Sequence, residues 1–105
     1  MKKDGFLYII SNPAHPEFLK VGVTQDDDIK KRLNTYQTGD PKRKYVVEFY
    51  LSHPDCYEAE KRIKKMMKYF SKDSIQKGEW YQISLPIAIS RLQEQVDDYN
   101  EGLYK

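Results

Sequence analysis

The run Phe6-Leu7-Tyr8-Ile9-Ile10, halted by Ser11-Asn12-Pro13, has no polar position inside it. A strand with one wet face alternates, so an unbroken run of β-branched and aromatic residues demands cover on both faces. The chain must therefore build material on two sides of this strand. Its 105 residues suffice, since a chain of that size buries roughly 60 to 70% of its unfolded surface and needs no staples. Cys56 is the single cysteine, which excludes a disulfide scaffold. The start Met1-Lys2-Lys3-Asp4-Gly5 is too short and too polar for a signal peptide, and no stretch is apolar enough to span a membrane. The expectation is one intracellular, cytoplasmic domain over residues 1–105.

Ala14-His15-Pro16-Glu17 reads as a turn, and Phe18-Leu19-Lys20-Val21-Gly22-Val23-Thr24 resumes an extended pattern, giving an antiparallel hairpin with a long tip. Asp26-Asp27-Asp28 places negative charge at a helix start, followed by Ile29, Leu33 and Tyr36 at helical spacing and the terminator Thr38-Gly39-Asp40-Pro41. Tyr45 to Leu51 is the densest strand signal and predicts a central strand. Ser52-His53-Pro54-Asp55 offers a capping hydroxyl and a first-turn proline, opening a helix to about Phe70 with the stripe Tyr57, Ile63, Met66, Met67 and Phe70. Gly78 to Ile83 reads as a short extended piece. Leu85, Ile89, Leu92, Val96 and Tyr99 then predict an amphipathic helix over 85–100 behind Ser84 and Pro86. The fold class is α+β: a small three-stranded antiparallel sheet flanked by helices, a ββαβα core over 5–83 with an added C-terminal helix.

Charge is high, at 32%, but nearly balanced at +2, so nucleic-acid affinity must come from clustering. Residues 61–77 carry seven cations against Asp73 alone, whereas 85–105 are net acidic. A basic side built on the second helix and Lys42-Arg43-Lys44 follows. Within that helix Glu58 pairs naturally with Lys61 and Arg62 on a solvated face. Glu60 lies at the edge of the apolar stripe, where a carboxylate seeks a cation, either a Lys or Arg or a metal. Arg32, between Ile29 and Tyr36, is either an interhelical ion pair or a bidentate phosphate grip. Lys20 inside a strand is either an edge protector or, beside Gly22, the lining of a cleft. Zinc spacing, a phosphate loop and a nucleophilic triad are all missing from the sequence. Carboxylate-metal chemistry or plain binding is left.

Taken in order, Leu7-Tyr8-Ile9 opening a hairpin, Lys20-Val21-Gly22-Val23-Thr24 closing it, Arg32 on the next helix, Glu60 on the helix after the third strand and Gly78-Glu79-Trp80-Tyr81 resemble the GIY-YIG nuclease superfamily. They are most similar to its compact branch in phages, large DNA viruses and microbes, with K-I-G as second tripeptide and a closing E-W-F. The resemblance implies hydrolysis of a DNA phosphodiester with one Mg²⁺ or Mn²⁺. It assigns Tyr8 to the attacking water, Arg32 to the scissile phosphate and Glu60 to the metal. Lys20 stands where most of the superfamily has its second tyrosine, and Lys64 where the branch usually has histidine. Glu79 is the candidate for the role of an active-site asparagine. Lys42, Arg43, Lys44, Lys64, Lys65 and Lys68 would contact DNA.

Two alternatives stand beside the endonuclease. One is a nucleic-acid-binding module of the same fold without cleavage, and the other a protein-interaction domain using the acidic C-terminal helix. The chain has no room for a separate recognition domain, so specificity would come from a partner or from a homodimer through that helix.

Overall fold

The computed structural model describes residues 4–13, 16–25, 46–68 and 80–104. The expected helix at 29–36 and the Lys42-Arg43-Lys44 cluster lie outside the described residues, as do Arg32, Phe70, Gly78 and Glu79.

Four strands and two helices are described: β1 (Gly5–Ser11), β2 (Leu19–Thr24), β3 (Val46–His53), α1 (Cys56–Met67), β4 (Trp80–Tyr81) and α2 (Leu85–Asn100). The sheet order is β3-β1-β2-β4 with every pairing antiparallel. The α+β class is as expected, and the short extended piece proves to be a fourth strand, Trp80 opposite Lys20 and Tyr81 opposite Leu19.

β1 is central, as its composition requires: Leu7, Tyr8, Ile9 and Ile10 are all completely buried. Alternate side chains leave opposite faces of a strand. Leu7 and Ile9, with Leu19, Val21 and Tyr81, join Ala59, Ile63 and Met67 of α1 and Ala88 and Leu92 of α2 in one core. Tyr8, Ile10, Lys20 and Thr24, also buried, project from the other face.

β3 corrects the expectation of a central strand: it is an edge strand, joined to β1. Val46, Glu48, Tyr50 and Ser52 are exposed while Val47, Phe49 and Leu51 turn inward. Its apolar density reflects aromatics on a half-covered surface, and a register shift opposite Ile9 and Ile10 leaves Glu48 as the extra residue of a bulge.

The start of α1 also differs. The ladder with β1 runs as far as Gly5 opposite His53, so Ser52 stays in the strand. Asp55 caps instead, its Oδ1 accepting from the Glu58 N–H at 3.4 Å. The buried stripe is Cys56, Ala59, Ile63 and Met67. Tyr57, expected inside, is exposed, because it lies 100° round the helix from Cys56, off the face that Cys56, Ala59, Ile63 and Met67 bury. α2 follows the expected boundaries, with Pro86 in its first turn, and its Ala88 and Leu92 are spent in the core.

Candidate nucleic-acid and metal site

Two of the expected site residues share a sheet face. Tyr8 stands opposite Gly22 of β2 and Tyr50 of β3, and Lys20 is opposite Ile10. Tyr8 and Lys20 are thus diagonal neighbours on one face, a relation that long side chains bridge across about 7–8 Å. Gly22, directly across from Tyr8, places no side chain of its own on that face. Lys20 is nine-tenths buried and paired on its outer side with Trp80, which removes its reading as an edge protector. β4 covers Leu19 and Lys20 alone. From Val21 to Thr24 the outer edge of β2 has no strand beside it among the described residues.

Glu60 belongs to the helical layer. α1 lies over β2, with α2 beside it against β1. Its two flanks differ, as a 100° step per residue dictates. Glu58, Arg62 and Met66 face α2, where Arg62 meets Tyr104 and Leu103. Glu60 and Lys64 occupy the opposite flank, on the side of the outer edge of β2. Lys64 Nζ lies 3.1 Å from Glu60 Oε1, and the two side chains are 56% and 34% exposed, so the pair is reachable from solvent. Lys61, Lys65 and Lys68 project outward from the same helix and are exposed. Arg32, Lys42, Arg43 and Lys44 lie outside the described residues.

No group of three or more His, Cys, Asp or Glu able to hold a metal occurs among the described residues. Glu60 offers one hard oxygen donor at a wet surface. That donor set fits Mg²⁺ or Mn²⁺, which keeps several waters and takes one or two carboxylates, and it does not fit a closed structural zinc site.

Two concavities differ in charge. One, of about 490 Å³, lies at the end of the sheet between Asn12, Pro16 and Ser84 and contains Glu17 and Glu48, carboxylates that repel a phosphate. The other, of about 570 Å³, runs between α1 and α2 and is lined by Lys61, Arg62 and Lys65 against Glu58. Only the second suits an anion.

The T5orf172 domain family matches residues 5–100, nearly the whole chain and every element just described. The chain belongs to the T5orf172 domain family. T5orf172 domains are phage-associated and related to nuclease-like folds, which makes this a nucleic-acid-related domain. No curated protein and no solved structure matches the chain. No helix among the described residues of this T5orf172 domain is long and apolar enough to cross a membrane.

Sequence reasoning missed one cluster. His53, Tyr99, Tyr104, Gln95 and Arg62 come together from three separate segments. Periodicity within any one element carries no sign of it; the one local hint was a histidine ending an apolar strand.

Proposed function

We propose that this T5orf172 domain is a GIY-YIG-type endonuclease that hydrolyses DNA phosphodiester bonds with the help of Mg²⁺ or Mn²⁺. The observation that carries the reading is the shared sheet face of Tyr8 and Lys20, with Glu60 reachable from solvent on the helix that packs against the same strand from its other face. Glu60 would hold the hydrated ion. When bound, such an ion lowers the pKa of a coordinated water from about 15.7 and offsets charge on the phosphoryl oxygens.

The chain's own groups do the rest. The Tyr8 hydroxyl, on a side chain locked by the centre of the sheet, orients the attacking water by accepting its hydrogen bond. Lys20 and Arg32 place cations against the phosphate, and each such donor is worth on the order of 100-fold in rate. Lys42, Arg43, Lys44, Lys64, Lys65 and Lys68 hold the DNA backbone without reading bases. Water adds across the phosphorus-oxygen bond, leaving one phosphate end and one hydroxyl end. A single site cuts one strand, so a double-strand break takes a second copy or a second visit.

One observation favours a binding module without cleavage, namely the ion pair that already engages Glu60 with Lys64. Incubation of supercoiled plasmid with the protein in Mg²⁺, Mn²⁺ or EDTA, beside Glu60→Ala, separates the two. Metal-dependent nicking that disappears in Glu60→Ala upholds the nuclease. Salt-sensitive binding with no cutting under any metal upholds the module instead.

A further inference from the structure

His53 closes β3 and is 1% exposed. The Asp55 N–H donates to its Nδ1 at 2.9 Å, and its Nε2 lies 3.1 Å from the Gln95 carbonyl oxygen. An amide can only donate and a carbonyl only accept, so the imidazole is the neutral tautomer with its proton on Nε2. Asp55 caps α1 and Gln95 belongs to α2. One ring therefore ties the sheet to both helices.

The residues after α2 fold back onto that ring. Tyr104 stacks on His53 at 5.4 Å with the planes 27° apart, and Tyr99 stands edge-on to both. The Tyr104 hydroxyl donates to Gln95 Oε1 at 2.6 Å. Arg62 completes the stack, with Cζ 4.1 Å from the Tyr104 centroid and Nη2 donating to the Leu103 carbonyl at 3.3 Å. Arg62 is thus the one cation lining the α1–α2 groove whose guanidinium is held by this segment, while Lys61 beside it is 78% exposed.

We infer that Leu103 and Tyr104 form a strap over Arg62 that protonation of His53 releases, leaving the guanidinium with Glu58, 3.8 Å from its Nε, and free of the strap to meet a phosphodiester backbone in the α1–α2 groove. The choice of a phosphodiester rests on the nucleic-acid reading above; the release does not.

A second proton must go to Nδ1, which then meets the Asp55 N–H donor to donor, and that hydrogen bond is lost. The imidazolium also puts a second cation against the ring Arg62 occupies. Among the described residues, the charged and titratable groups around the cluster are Asp55 before α1, Glu58 and Arg62 on α1, Asp98 and Tyr99 on α2, and Tyr104 itself, and β1 sets Gly5 opposite His53. Burial lowers the His53 pKa from 6.5, outweighing the bond to Gln95 and the charge of Asp55, which raise it. The ring is therefore neutral near pH 7, and the strap is closed there.

Backbone and imidazole NMR signals of the full chain, recorded without nucleic acid from about pH 7.5 down to about pH 5, test the release. His53 and the amides of Gly102, Leu103 and Tyr104 should move together with one midpoint below 6.5. In Tyr104→Ala the amides of 102 and 103 should sit at their acid positions at every pH. Strap signals that stay still while His53 titrates overturn the inference. Binding of a short DNA duplex at neutral pH tests the consequence. Tyr104→Ala should show a salt dependence steeper by about 0.9 in log–log slope, the signature of one added phosphate contact, and adding Arg62→Ala should remove the increment. An unchanged slope with the duplex still bound overturns the role of Arg62. No binding by any form overturns the nucleic-acid reading, and the NMR result then stands by itself.

Discussion

Lys64 holds Glu60 from one helical turn downstream, its Nζ 3.1 Å from Glu60 Oε1. Exposed pairs of this kind contribute about 0.2–1 kcal/mol, so the contact competes with a metal only weakly. Lys64→Gln should strengthen Mn²⁺ binding about threefold and leave stability within about 0.5 kcal/mol. Calorimetric titration with Mn²⁺ measures the first effect. An affinity indifferent to both Lys64→Gln and Glu60→Ala would remove Glu60 as a ligand.

At Gly5, β1 passes tightly between Thr24 of β2 and Cys56 of α1. A Cβ there would lie 2.6 Å from the Thr24 carbonyl oxygen and 2.8 Å from Cys56 Sγ. The thiol can rotate aside, but the backbone oxygen cannot. Gly5→Ala should cost about 1–3 kcal/mol, read from urea unfolding, and adding Cys56→Ala should restore only part of it. Full restoration would mean that the sulfur, not the Thr24 oxygen, sets the limit.

His53 makes stability depend on mild acid. Its folded pKa lies below the unfolded 6.5 because burial disfavours the charged ring. Between the two values the unfolded chain binds more protons. The stabilisation is therefore complete above 6.5 and lost as pH falls through the folded value. The melting temperature should fall over that window in the parent protein, and the fall should be smaller in His53→Gln. Equal slopes in the two proteins would place the acid sensitivity elsewhere.

Tyr104 gives the alkaline counterpart. Burial raises its hydroxyl to about 12, against the opposing pull of Arg62. A raised folded value means that the contribution is present below 10 and lost as pH rises toward about 12. In a spectrophotometric titration, Tyr104→Phe should remove a phenolate signal from the late part of the curve. Loss of signal near 10 instead would show an exposed Tyr104.

Several features were legible because they are local. β1 could be read from five apolar neighbours, α2 from the spacing of Leu85, Leu92 and Tyr99, and the β1–β2 hairpin from the prolines between its strands. Tyr8 and Lys20 could be placed on strands for the same reason, and their common face follows from antiparallel register once Tyr8 meets Gly22. The rank of β3 was not legible, because apolar density reports burial and not the number of hydrogen-bonded neighbours. The cap of α1 depended on how far the ladder with Gly5 extends, a long-range fact.

By itself, then, the sequence determined β1, β2, β3, α1 and α2 as elements, the α+β class, the basic character of the second predicted helix and the candidacy of Tyr8, Lys20 and Glu60, all of which depend on residues close in the chain. Tertiary structure alone decided that Trp80–Tyr81 becomes a fourth strand beside Lys20. It also turned the Arg62 flank of α1 toward α2 and closed Tyr104 over His53 and Arg62. Those outcomes turn on contacts such as His53 with Gln95, which are 42 residues apart. They form only when packing brings distant segments together, and no local pattern encodes that.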